Sequence, residues 1–349
     1  MHRLPHEDLD FMCDQTAELW PEMAGQRIFL TGGTGFFGCW LVESFLAANR
    51  RFQLHAQMVV LTRSPEAFQK KCPHLADDPA LHFVRGDVRD FTFPDGAFPF
   101  VIHAATETSA KLHNEQLLQM LSTILDGTRR TLEFAAEHGT KKFLLISSGA
   151  VYGRQPEAIS HLSEEYAGAP DSLQPDTAYA NGKRTAELMC MLYARSTAME
   201  MKIARCFAFV GPHLPLDTHF AIGNFIRDAM LGGPIRVNGD GVPKRSYLYA
   251  SDLSIWLWTM LFRAPSGVAF NVGSEEAVSI RELAGIATEA IDPSISVEVA
   301  QAPRSGSPLL QYVPSVDRAR EQLQLKAHIL LKEAIWRTAV WYGHTGRRP

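Results

Sequence analysis

Much that would assign this chain quickly is scarce or absent. Only five of its 349 residues are cysteine, namely Cys13, Cys39, Cys72, Cys190 and Cys206. They are odd in number, scattered and without a CxxC pair, which excludes a disulfide framework and gives no zinc-binding pattern. Buried free thiols in a reducing compartment are the expectation. The 13 histidines show no HxxxH or HxH spacing, so no metal is expected. Charge of one sign is not in excess either. Against 38 Asp and Glu stand 34 Lys and Arg, without blocks, for a net charge of −4. That balance argues against a nucleic-acid groove and against an anionic membrane as partner. The longest apolar run, residues 255–262, is far shorter than the roughly 20 residues of a membrane span, and the opening MHRLPHEDLD has no apolar signal core. A soluble, cytoplasmic protein is expected. Internal repeats and low-complexity linkers are lacking as well.

What is present centres on residues 27–48, RIFLTGGTGFFGCWLVESFLAA. A short apolar strand runs into Gly32, Gly35 and Gly38, spaced three apart, where the apolar period lengthens from two to about 3.6. This is a strand-to-helix turn. Gly32 suits the tight turn, Gly35 lets a pyrophosphate approach the backbone and Gly38 lets the helix pack closely, with free N–H groups facing the phosphates. A glycine-rich turn that binds nothing has the same local pattern, so the rest of the chain must decide. Apolar runs follow at residues 58–61, 81–84, 100–103, 143–146 and 202–207, separated by helical patterns such as 115–138. Continuous apolar strands between helices imply a parallel sheet covered on both faces. The predicted fold is α/β, a doubly wound parallel sheet with a smaller mixed α/β lobe. Residues 1–24 read as a helical extension, 25–210 as a dinucleotide-binding Rossmann domain and 211–349 mainly as a substrate-binding lobe.

Tyr179-Ala-Asn-Gly-Lys183 places a phenol and an ammonium one helical turn apart. A fixed Lys183 charge favours the phenolate, which would lower the Tyr179 pKa toward working pH and suit it to general acid or base work. Ser148, at the end of the strand 143–147, can share the substrate oxygen. Alone, the Tyr-x-x-x-Lys spacing equally fits a surface tyrosine lying over a lysine stem. The second strand ends Val59-Val60-Leu61-Thr62-Arg63-Ser64. No carboxylate stands there for a ribose 2′-hydroxyl, and Arg63 with the hydroxyls of Thr62 and Ser64 suits a 2′-phosphate, so NADP(H) is expected ahead of NAD.

Taken together, Gly32-x-x-Gly35-x-x-Gly38, Gly86-Asp87-Val88, His103-Ala104-Ala105, Ser147-Ser148-Gly149-Ala150-Val151-Tyr152-Gly153 and Tyr179-x-x-x-Lys183 resemble the extended short-chain dehydrogenase/reductases. The likeness is to the NAD-dependent epimerase/dehydratase group that modifies nucleotide sugars, and it covers about residues 25 to 320. It implies Ser148, Tyr179 and Lys183 as the catalytic trio. Gly32, Gly35, Phe36, Phe37 and Gly38 would hold the dinucleotide, with Arg63, Asp87 and Val88 at its adenosine end. Ala104, Ala105 and Thr106 would line the channel, and Lys183 would hold the nicotinamide ribose. It further implies a nucleoside diphosphate sugar as substrate and a homodimer formed through residues 115–138 and 179–195, with Leu117, Leu121, Met189 and Tyr193 as candidate contacts.

In the second lobe, Gly239-Asp240-Gly241 followed by Arg245, Tyr249 and Asp252 resembles the nucleotide-sugar segment of that group. Arg245 and Arg304 would grip a diphosphate through their guanidinium forks, Val237 would flank the base and Asn224 the diphosphate. Two departures from the group's pattern stand out. Ala208 replaces an Asn in Arg205-Cys-Phe-Ala-Phe-Val-Gly-Pro212, and Ile124 replaces the Asn before Gly127-Thr128. After Ser148, where dehydrating members carry Asp-Glu, this chain has Gly149-Ala150, neither of which moves a proton. The leading expectation is therefore an NADPH-dependent reductase of a nucleoside diphosphate 4-keto-6-deoxysugar, with an NAD-dependent 4-epimerase as the alternative. Reduction of a non-nucleotide ketone and a non-catalytic dinucleotide sensor are further readings.

Overall fold

The computed structural model describes residues 2–106, 114–218, 220–302, 309–346 and 348. The apolar runs form the parallel strands β1 (Arg27–Thr31), β2 (Gln57–Thr62), β3 (Leu81–Arg85), β4 (Phe100–His103), β5 (Lys142–Ser148) and β6 (Glu200–Cys206). With Ala269–Val272 they make one seven-stranded sheet, in the order Ala269–Val272, β6, β5, β4, β1, β2, β3. Strand order therefore reverses between β1 and β4, and the crevice outside their carboxyl ends is where such sheets bind ligands. Helices α1 (His6–Thr16), α2 (Phe36–Arg51), α3 (Pro65–Lys71), α4 (Pro73–Ala76), α5 (Asn114–Glu137) and α6 (Ala178–Ser196) accompany the strands. This is the Rossmann-type fold expected from the apolar pattern.

The chain divides into two compact units. The first comprises Met1–Gly153, Gly168–Cys206 and Ser254–Phe270; the second comprises Arg154–Ala167, Phe207–Leu253 and Asn271–Pro349. Segments 154–167 and 254–270 thus lie on the far side of the single break drawn near residue 210 from sequence. Aromatic packing explains the second exchange. Trp258 lies 4.9 Å from the Trp20 ring and donates its indole N–H to Ser44 Oγ at 2.8 Å, and Phe262 lies 5.4 Å from Phe100. Trp20 belongs to the N-terminal segment, which is built into the first unit. Leu4 N–H donates to the Glu43 carboxylate at 2.9 Å, and Arg51 of α2 pairs with Asp14.

Within the first unit, Phe29, Phe91, Phe98 and Phe134 pack as one aromatic cluster against Val101, Phe143 and Met201. Helix α5 packs on α6. Ile124, in place of the expected Asn, is fully buried there, and a Cβ on Gly182 would come within 3.2 Å of its Cδ1. Apolar contact between two helices has taken the position where a polar brace was expected. The second unit holds the helix Ala221–Met230 and short two- and three-stranded ladders, among them Ile235–Val237 with Val297–Val299. Among the described residues no helix is long and apolar enough to cross a membrane, and all five cysteines are free and buried.

Candidate active site

The glycine turn joins β1 to α2. Gly32 has φ +74°, and a Cβ there would meet the Ala104 backbone at 2.6 Å, so the turn lies directly on the end of β4. Gly38 faces back into the turn: a Cβ would fall 2.3 Å from Gly32 O. Its closeness is thus to the loop backbone. Gly35 differs, since a Cβ there would touch only Gly32 O, at 3.5 Å. The protein itself does not crowd that position, and the bare, exposed Cα leaves the close approach a pyrophosphate requires. The residues present therefore fit a dinucleotide. Phe36 and Phe37 stand edge to face at 5.6 Å, both partly exposed. Lys71 of α3, which sequence reasoning passed over, donates to Thr34 O at 3.0 Å and braces the turn.

Thr31 organises the neighbouring strand end. Its hydroxyl accepts the backbone N–H groups of Ala104 and Ala105, each at 3.2 Å, and lies 2.8 Å from His103 Nδ1. His103 Nε2 is 3.1 Å from Thr128 Oγ1, and burial pushes the imidazole down to about 3, so it stays neutral as a satisfied core histidine. Thr106 turns its hydroxyl onto Ala105 O. At the adenosine end, Asp87 is held below the usual carboxylate range chiefly by its bonds from Arg89, with Arg63 also lowering it. Val88 is a core residue lying against Gly127 of α5.

The three candidate catalytic residues all belong to the first unit. Ser148 ends β5, is buried, and its hydroxyl accepts the Ala150 N–H at 3.2 Å and hydrogen-bonds with the Tyr179 phenol. Tyr179 and Lys183 lie one turn apart on α6, and Lys183 Nζ donates to Ile146 O at 2.8 Å. Electrostatics here differ from the sequence expectation. Burial pushes Tyr179 up to about 12 against the lowering by Ser148, and burial also brings Lys183 down to about 8. Desolvation penalises both charged forms, so Lys183 does not by itself deliver a lowered phenol.

In the second unit, Asn224 and Val237 line one cleft of about 700 Å³, together with Phe225, Arg227, Arg236 and Asn238. That volume is within the range of small-molecule sites. Arg227, three residues beyond Asn224 on the same helix, donates to Asn224 Oδ1 at 3.1 Å and was not singled out from sequence, although the i, i+3 spacing was there to find. Arg245 does not line that cleft. It donates to Lys244 O at 2.8 Å and lies over the Tyr312 ring. Asp252 is fully buried and accepts from His328 N, His328 Nδ1 and Ile329 N, which makes it a structural anchor. Arg304 lies outside the described residues.

The model of the NAD dependent epimerase/dehydratase family matches residues 28–273. UDP-glucuronic acid decarboxylase 1 of Arabidopsis thaliana is 30% identical over 310 residues, 88% of this chain and 68% of the relative. Two solved structures share the fold. The UDP-glucose 4-epimerase of Thermotoga maritima aligns with a TM-score of 0.73 at 19% identity, covering 91% of this chain and 98% of that one. A dTDP-glucose 4,6-dehydratase of Streptomyces venezuelae with NAD bound aligns with a TM-score of 0.72 at 24% identity, covering 92% and 98%.

These matches overturn the NADP(H) expectation. Three dTDP-glucose 4,6-dehydratase structures of this fold hold NAD, and a hexosamine 5,6-dehydratase of the same fold is NAD dependent. The hydroxyls enlisted for a 2′-phosphate also have local roles as acceptors. Thr62 Oγ1 accepts the Ser64 N–H at 3.3 Å, and Ser64 Oγ caps α3 by accepting the Ala67 N–H at 3.3 Å. Arg63 has the Asp87 carboxylate in its field.

Proposed function

The chain belongs to the NAD dependent epimerase/dehydratase family, a family of enzymes, and on that premise we propose that it is an NAD-dependent 4-epimerase of a nucleoside diphosphate sugar. The reading is supported above all by the Ser148–Tyr179–Lys183 constellation followed by Gly149-Ala150. The phenol takes and returns the proton of the sugar hydroxyl, and the Ser148 hydroxyl holds that oxygen in place. Lys183, buried and bonded to Ile146 O, carries the cofactor ribose and a positive charge. NAD, when bound, supplies the hydride acceptor. Gly32, Gly35 and Gly38 would hold its pyrophosphate, with Ala104 and Ala105 along the channel. Neither Gly149 nor Ala150 can protonate a leaving hydroxyl or take a C5 proton, which speaks against dehydration. NAD, if retained, would serve an oxidation that is reversed within one turnover. The cleft lined by Asn224 and Val237 is the candidate seat of the nucleotide.

A second reading is favoured by the family relatives, among them several UDP-glucuronic acid decarboxylases. Oxidation at C4 of a uronate places a ketone β to the carboxylate, and such an acid loses carbon dioxide without a proton-transferring neighbour after Ser148. One experiment separates the readings. Purified protein is assayed for bound NAD, then incubated without added cofactor with UDP-glucose, UDP-N-acetylglucosamine, dTDP-glucose and UDP-glucuronate, and the products are followed by proton NMR. A C4 epimer pair at equilibrium is the expected result. A pentose with release of carbon dioxide establishes the second reading, and turnover seen only in a parallel incubation supplied with NADPH and a nucleoside diphosphate 4-keto sugar overturns both.

A further inference from the structure

One buried charged cluster in the first unit has no part in the scheme above. Glu187 lies on α6 one turn beyond Lys183 and two beyond Tyr179, so the three share a face. Its side chain is 9% exposed yet fully engaged. Oε1 accepts Ser147 Oγ at 2.5 Å and Arg205 Nε at 3.0 Å, and Oε2 accepts Arg205 Nη2 at 2.7 Å. Arg205, on β6, also donates to the Tyr152 hydroxyl at 3.0 Å and lies 4.8 Å from that ring's centroid. A single carboxylate thus ties α6 to β5, to β6 and to the turn Gly149–Tyr152 that follows Ser148.

We propose that Glu187 and Arg205 are positioning residues, which hold the Tyr179–Lys183 face of α6 against the strand end bearing Ser148 and whose opposed charges bear on Lys183. The proposal rests on the reading of Tyr179 and Lys183 given above. Among the described residues, Lys183 lies in the field of Glu187 and Cys190 from its own helix, of Cys206 from β6 and of His103 from β4, and donates to the Ile146 carbonyl of β5; Arg205 acts on it through its pair with Glu187. Burial is the main influence on Lys183 and lowers it; Cys206, Glu187 and Cys190 raise it. Burial pushes both thiols up and keeps His103 neutral, so near neutral pH they carry no charge. Glu187 is left as the one negative charge facing the ammonium, and Arg205 is its counter-charge.

The signs then make the test. In protein labelled with [15N]lysine, with the Lys183 resonance identified by its loss in Lys183→Met, the Lys183 titration midpoint should fall about tenfold in proton affinity in Glu187→Gln. It should rise in Arg205→Met and return toward the wild-type value in the double variant. Glu187→Asp keeps the charge and shortens the arm, so its midpoint should hold while kcat drops roughly tenfold at unchanged KM. Midpoints that move the same way in both single variants, or in neither, overturn the proposal. If one single variant does not fold, the other single and the double still give opposed or coincident shifts. Midpoints that shift as stated while Tyr179→Phe retains full turnover leave the charge coupling standing and overturn the reading of the active site instead.

Discussion

At the scale of single residues, the groups proposed for catalysis are ones whose ordinary chemistry burial alters. On the proposed mechanism, Tyr179→Phe should cut turnover by roughly 100-fold to 10,000-fold, the usual contribution of a general acid–base group, and leave NAD affinity unchanged because Lys183 is the residue proposed to hold the ribose. Single-turnover rates and fluorescence titration of the dinucleotide check both halves. His103 carries a stability prediction. In the folded protein it titrates at about 3, against 6.5 for the free side chain, so between those values only the unfolded chain binds the proton. Stability present above pH 6.5 is therefore lost as pH falls toward 3, on the order of 3 kcal/mol by pH 4. Urea unfolding at pH 7 and pH 4 should show that loss in wild type and a smaller one in His103→Gln. The placing of Tyr179 one turn from Lys183 was legible in the sequence from helical spacing, whereas the trio as a set came from the resemblance of several motifs. The pKa of Tyr179 was not legible, since it depends on what surrounds the phenol. Arg63 misled for a similar reason: a sequence does not show that the Asp87 carboxylate lies in its field.

Among the elements, the glycine turn separates two roles that look alike as a motif. Gly38→Ala would drive a Cβ to 2.3 Å from Gly32 O, backbone against backbone, and should disrupt the turn and lower the melting temperature measurably. Gly35→Ala meets nothing closer than 3.5 Å, so the protein should fold with near wild-type stability while dinucleotide binding weakens at least tenfold. Calorimetric unfolding with and without NAD distinguishes the two. Equal stability loss in both variants would remove the phosphate from the explanation of Gly35. The strands were legible because a sheet buried on both faces leaves runs such as Met58–Leu61 almost wholly apolar. What the sequence could not show was which segments leave the main order. Residues 254–270 join the first unit through Trp258 and Phe262, whose partners Trp20, Ser44 and Phe100 are remote in the chain.

For the molecule as a whole, the open question is what α5 and α6 present outward. Leu117, Met189 and Tyr193, offered from sequence as contacts for a second subunit, pack onto the core of their own, and Leu121 lies toward Gly182 of α6. The large apolar side chains left outside on this helix pair are Leu118 at 70% exposure, Leu188 at 59% and Leu192 at 55%. Periodicity placed the apolar residues on helices but could not divide them between inner and outer faces, because α6 buries one side under α5 and the sheet. Scattered exposed leucines are ordinary. Leu188 and Leu192, however, lie one turn apart on α6, and α5, which carries Leu118, packs beside it. Fully burying an exposed leucine is worth about 1.5 to 3 kcal/mol, and a two-fold contact uses the set on both subunits, against an association cost of about 4 to 15 kcal/mol. The expected state is a homodimer. Leu188→Glu with Leu192→Glu places charges on that face without touching Tyr179 or Lys183, and sedimentation velocity at micromolar concentration should show a dimer for wild type and a folded monomer for the double variant. A wild-type monomer, or a double variant that remains dimeric, rules out this surface as the contact between subunits.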